Sequence, residues 1–334
     1  MGNANTTSIT YAFETTQGVA DTANLKILRH TGSDTLGNTV ETVTSGEIRS
    51  DRAVADQTQV HNQPDGGFSF EGSIPQMNDL LKMLFHNDFV EVNLTLNVTI
   101  DDVGQTITGV ASDFDAVING CMVLVAGATD PLDNGLKRVI AKSVDGSVLT
   151  VETGSFLNNE AITGASIKAR FLTSGTLPKF VSLEKTLPND GTDYRTLMTG
   201  MICDTMNLSF ESRQIVSGDI AFVGQETTYN TEARTYLAQN TGSVVNATKN
   251  VASFRVDDLV AVDCYKTINL TMTAGARGKD CISEKGNFDM DIGEFNISID
   301  FSAYFRNNSF LENIKADGSQ AIGWVTEDVE GNKL

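Results

Sequence analysis

Side chains able to do chemistry are sparse in this 334-residue chain, and their spacing limits what they could do. The histidines are His30, His61 and His86, too far apart to form the i, i+4 pair that holds zinc on a helix. Cys121, Cys203, Cys264 and Cys281 are equally scattered, and they read as four free, mostly buried thiols. No Gly-x-Ser-x-Gly elbow occurs, and Gly275-Ala276-Arg277-Gly278-Lys279-Asp280 lacks both the spacing and the hydroxyl of a phosphate loop. Carboxylates do gather near the C-terminus, as Asp280, Glu284, Asp289, Asp291, Glu294 and Asp300. Such a group could hold calcium or supply an acid and base pair, but its spacing is diagnostic of neither, and a solvated strand face accounts for it as well. The sequons Asn93-Leu94-Thr95 and Asn269-Leu270-Thr271 sit in strand sequence without a signal peptide, so glycosylation is discounted. No catalytic residue, metal or cofactor is expected.

The balance of 24 Lys and Arg against 43 Asp and Glu, a formal charge of -19, argues against a surface that neutralises phosphates and releases their counterions. With 40% hydrophobic and 20% charged residues the chain can bury a sizeable core, and its length favours two structural units. Met1 to Thr10 is polar, and the longest apolar run, Cys121 to Ala128, falls far short of the about 20 residues that span a bilayer. The expectation is a cytosolic protein that no membrane holds.

The elements that must position any site are mostly strands. Val92, Leu94, Leu96, Val98 and Ile100 alternate with polar residues, as do Phe68 and Phe70, then Met206, Leu208 and Phe210, then Ile268, Leu270 and Met272. Near the C-terminus the apolar parity switches between Ile292 and Phe295, which calls for a bulge or bend at Gly293. Helical spacing is confined to Met77, Leu80, Leu81, Leu84 and Phe85, preceded by Ser73 and Gln76 in capping-box spacing and by Pro75. Residues 101–174 change texture to short strands parted by Asp133-Asn134-Gly135, Asp145-Gly146 and Asn158-Asn159, the pattern of a small β-barrel. The reading is therefore a discontinuous core, 1–100 and 175–334, with a small β-barrel domain inserted at 101–174. Residues 1–8 read as a mobile arm and 224–250 as a long polar loop.

The segment Thr44-Ser45-Gly46-Glu47-Ile48-Arg49-Ser50-Asp51-Arg52 follows Leu28-Arg29-His30-Thr31-Gly32 and precedes Gly67-Phe68-Ser69-Phe70-Glu71-Gly72-Ser73-Ile74. In that order, leading into the helix, these residues resemble the N-terminal part of the phage tail tube protein family. Tyr194 to Gly200, Met206 to Phe210 and Gly218 to Gly224 look like the family's later strands, and Asp113 to Thr153 resembles a β-domain found inserted in phage tail proteins. The resemblance covers most of the chain, and Gly224 to Arg277 has no nameable counterpart.

The resemblance implies a mainly β fold, a sandwich or barrel core with one short helix, whose copies form hexameric rings with a β-lined lumen. Rings would stack head to tail, with tape-measure, baseplate or distal tail, and tail terminator proteins as partners. Viral DNA would be a passing cargo contacted without specificity, and the protein would reside in the virion tail after assembly in the host cytoplasm. Glu47, Arg49, Asp51 and Arg52 place four charges in six residues, which suits an ion-pair network across a subunit boundary and equally an intrachain surface network. Asp289, Asp291, Glu294 and Asp300 are the lumen-facing candidates; the competing position is the outer surface. A β-rich adhesin or receptor-binding virion protein is the alternative, since it would share the turn-rich strands without polymerising.

Overall fold

A computed structural model describes residues 7–32, 34–48, 50–51, 56–189, 191–239, 242–256, 259–260, 265–304, 315 and 322–329. The chain opens with β1 (Ser8–Phe13), β2 (Lys26–Ile27), β3 (Gly37–Thr44), β4 (Gln57–Glu71) and α1 (Ile74–Phe85). It continues through β5 (Val90–Asp101), β6 (Thr106–Thr108), β7 (Met122–Ala126), β8 (Gly135–Lys142), β9 (Val148–Val151) and β10 (Glu160–Phe171). Then follow β11 (Val181–Asn189), β12 (Thr192–Glu211), β13 (Ser217–Val223), β14 (Glu226–Asn230), β15 (Val251–Val256), β16 (Leu259–Val260) and β17 (Tyr265–Thr273). The remaining strands are β18 (Arg277–Lys279), β19 (Asp289–Asp291), β20 (Asn296–Ala303) and β21 (Ile322–Thr326). The fold is mainly β, as its alternation requires.

Two compact units divide these elements, residues 1–86 with 174–334, and residues 87–173. The larger unit is built on β12, whose 20 residues serve two half-sheets. Its first half lies between β11 and β14, extending the order β2-β1-β11-β12, and its second half lies between β13 and β17. The register slips between Cys203 and Thr205, which bends the strand from one half-sheet into the other. Ile9, Leu183 and Met198 from the first half-sheet share one core with Phe68, Phe70, Met206, Ile220 and Met272 from the second. Gly67 lets β4 approach β13, because a Cβ there would sit 2.0 Å from the carbonyl oxygen of Ile220.

Helix α1 closes that core with Ile74, Met77, Leu80, Met83 and Leu84; of the stripe its spacing predicts, Met77, Leu80 and Leu84 are buried, and Leu81 and Phe85 pack half-buried against the core. Its start departs from the capping-box reading. The Ser73 hydroxyl makes no cap hydrogen bond, and Gln76 turns away to pair with the backbone of Arg29, accepting from its N–H at 2.9 Å and donating to its carbonyl at 2.8 Å. A tertiary partner in the segment just past β2 satisfies Gln76 where the local motif would have used it.

The smaller unit is a closed barrel in the order β10-β5-β6-β9-β8-β7, with β7 pairing back onto β10. Ile100, Ile107, Phe114, Val123, Val139, Leu149, Phe156 and Ile167 fill it. The Asp145-Gly146 turn has Gly146 at φ 67°, the positive angle that pair is suited to supply. A boundary at 101 leaves β5 in the flanking core; its pairing with β10 from Val90 to Ile100 makes it a barrel strand. Alternation shows that β5 has a buried face, not which core that face meets.

Candidate functional site

Beyond β12, the second half-sheet runs β3-β4-β13-β12-β17-β20, and its two faces separate by parity. On one face Phe68, Ile220, Met206 and Met272 stand in register, packed on the core. On the other, Ser69, Asp219, Asn207, Thr271 and Ser298 form one cross-strand row, and Glu71, Ser217, Ser209, Asn269 and Asp300 form the next. Glu211, Thr267 and Ser302 complete a third. Hydroxyls and amides bridge neighbouring strands: Ser209 donates to Asn269 at 2.8 Å, Ser69 donates to Asp219, and Thr267 lies 2.6 Å from Ser302. These rows hold Glu71, Asp219, Glu211 and Asp300 and no Lys or Arg, so the face is hydrophilic and negative at neutral pH.

The half-sheet ends in two edges, β3 and β20, that pair on one side only among the described residues. Both carry exposed apolar side chains, Val40 and Val43 on β3 and Ile297 and Phe301 on β20. An edge of that kind is a template for another strand.

The four acidic candidates part company here. Asp289 and Asp291 belong to a separate two-stranded ribbon, where Lys279 Nζ lies 3.1 Å from one carboxylate and 3.4 Å from the other. The hydrogen bond with Lys279 lowers the Asp289 pKa, and the same bond raises that of Lys279. Glu294 is exposed in the connection to β20, and Asp300 alone stands on the polar face. Glu71, Asp219 and Glu211, which join it there, were legible as the solvent parity of strands whose apolar residues define the core. The parity switch coincides with the passage from β19 to β20, where Gly293 N donates to the Ala274 carbonyl at 2.9 Å. Of the charged quartet, Glu47 and Asp51 are exposed in the β3–β4 connection, and Arg49 and Arg52 lie outside the described residues. So do residues 1–6 of the N-terminal arm and Cys264. Cys121 and Cys203 are buried and Cys281 is exposed, so the free thiols among the described residues are mostly buried.

The segment read as a loop at 224–250 is partly strand and partly strap. β14 pairs with Arg195 to Thr199 of β12, and beyond it Arg234 and Tyr236 reach the fully buried Glu184. Tyr236 donates to Glu184 at 3.0 Å, Arg234 Nε lies 3.2 Å from it, and Arg195 Nε lies 3.7 Å away. A sheet face that would otherwise expose polar groups is thereby sealed.

A strand-rich core with an open-edged, polar-faced sheet suits a structural subunit that joins its neighbours. The chain belongs to the phage tail tube protein family, whose model it matches over residues 4–334. That family is one of structural proteins of the virion tail, so the protein is not an enzyme. No curated protein matches the chain significantly. Among the described residues no helix is long and apolar enough to cross a membrane, and no group of three or more His, Cys, Asp or Glu side chains could hold a metal ion.

Proposed function

We propose that this chain is the subunit of hexameric rings that stack into the tail tube and conduct viral DNA to the host. The observation that carries the reading is the polar face of the half-sheet, whose three cross-strand rows carry carboxylates and no Lys or Arg, between two open edges. Joining β3 of one subunit to β20 of the next would close the sheet around a lumen and leave no exposed strand edge within the ring. A stiff polyanion must slide through without being held. Each fixed Lys or Arg in the wall would release counterions on contact and create a sticking point, whereas carboxylates repel phosphate over about 8 to 10 Å at physiological salt.

Head-to-tail stacking needs complementary ring faces. The N-terminal arm and the strap that follows β14 are the proposed inter-ring contacts, and the β3–β4 connection with Glu47, Arg49, Asp51 and Arg52 is the proposed subunit boundary. Assembly takes place in the host cytoplasm with tape-measure, baseplate and terminator proteins as partners. Negative-stain microscopy of the concentrated protein, and of virions that carry it, tests the proposal. Rings or tubes are expected; a persistent monomer in solution together with virions lacking tubes built from this chain would overturn it.

A further inference from the structure

The barrel of residues 87–173 distributes its charge unevenly. It carries 11 Asp and Glu against 5 Lys and Arg. Three of those cations, Arg138, Lys168 and Arg170, nevertheless lie on one outer face, that of β8, β7 and β10. Cross-strand register sets them beside apolar residues: Met122 faces Arg138, and Leu124 stands between Leu136 and Lys168. Leu124 is 40% exposed and Ile140, at the β8 bulge, 41%. Arg170 is held in place by a stack on Phe89 at 3.8 Å and by Glu91 at 3.2 Å, while Lys168 is exposed. The β6 side of the same barrel is lined instead by threonines, Thr106 and Thr108 facing Thr150 and Val148.

One end of the barrel has the opposite character. The loops after β5, β7 and β9 meet there, with Asp102 N donating to Asn159 at 2.9 Å and Asn158 donating to Asp130 at 2.9 Å. Asp101, Asp102, Asp130 and Glu160 are half-buried at this rim.

We infer that the cationic, apolar face of β8, β7 and β10 docks the acidic rim of the barrel of a second copy of this chain. Two arguments select that occupant. A polyanionic polymer would have to approach a body of net negative charge, and it would leave Met122, Leu124, Leu136 and Ile140 unpaired, whereas a protein rim can cover them. Each copy also carries both halves of the contact, so the pairing is heterologous and repeats from copy to copy.

Site-directed cross-linking of the full chain tests this. With the exposed Cys281 changed to Ser, one preparation carries Lys168→Cys and a second Asp102→Cys; the two are mixed under mild oxidation. The expected result is an intermolecular disulfide at least about tenfold above that of a control mixing Asp102→Cys with Thr108→Cys on the opposite side, weakening as ionic strength rises from about 0.05 to 0.5 M. Equal yields for the two mixtures overturn the inference. Retention on heparin that Lys168→Glu abolishes, without any excess cross-link, also overturns it by assigning the face to a polyanion.

Discussion

Arg234 and Glu184 are 50 residues apart in the chain, yet the guanidinium Nε sits 3.2 Å from a carboxylate that solvent does not reach. Arg195 and Tyr236 complete its shell, so Glu184 is tolerable in the interior only because the strap after β14 lies over it. Removing one partner leaves buried charge uncompensated. Glu184→Gln and Arg234→Ala are each expected to destabilise the larger unit by about 3–5 kcal/mol, read by urea unfolding. Arg234→Ala should in addition open the strap to limited proteolysis before global unfolding; an uncut strap would show that other contacts hold it.

His86 supplies a pH dependence. It caps α1 in the left-handed conformation at φ 52°, is buried, and accepts from Lys179 N through Nδ1 at 3.3 Å, while its Nε2 has no partner. Burial lowers its pKa from 6.5 to about 4. The unfolded chain therefore binds the proton more readily between those values, and stability falls as pH drops from about 6.5 towards 4, by about 3 kcal/mol in all. His86→Asn, which tolerates the left-handed angle, should flatten that part of the curve. Equal slopes for both proteins would mean another group governs acid unfolding.

The chain enters and leaves the barrel at adjacent points. Asn87 donates to the Thr173 carbonyl at 3.1 Å, and within the larger unit Gly175 N donates to the Phe85 carbonyl at 2.7 Å. Replacing 87–173 by a short Gly/Ser linker should leave cooperative unfolding of the remainder intact and permit tube formation. A truncated chain that folds but forms no tubes would show that contacts made by the barrel are required for assembly.

Ring closure through strand edges predicts a separation of assembly from stability. Val43 and Ile297 are 57% and 54% exposed, so Val43→Lys and Ile297→Lys should change subunit stability by no more than about 0.5 kcal/mol. Each should nevertheless abolish rings, because a charge on an edge strand opposes pairing. Rings that persist in both variants would move the subunit contact away from β3 and β20.

Carboxylates on the polar face should govern the passage of DNA. Asp219→Lys with Asp300→Lys is expected to slow ejection most at low salt, since screening weakens the new attraction as salt rises. Lysines at Asp289 and Asp291, which already share Lys279, should have the smaller effect. Ejection rates in assembled mutant tails, measured across salt, distinguish the two sites; identical rates for both pairs would place the polar face outside the channel.

Strand content, the α1 stripe and the glycine turns of the barrel were all determined by the sequence alone, because period, propensity and positive-φ turns are local properties. The order of motifs around Thr44–Arg52 and Gly67–Ile74 carried the family as well. Pairing was decided elsewhere. The alternation of Val92 to Ile100 is the same whether its buried face meets one core or another, and only contact with β10 assigns it to the barrel. Gln76 sits in capping-box spacing, yet Arg29, distant in sequence, satisfies it. Asp291 and Asp300 look alike in sequence, but one lies beside Lys279 and the other on an open sheet face. Burial of Glu184 depends on a strap with no apolar periodicity of its own. In each case the deciding partner lies far along the chain, and the free energy of a polar group is set by what covers it, which no local pattern records.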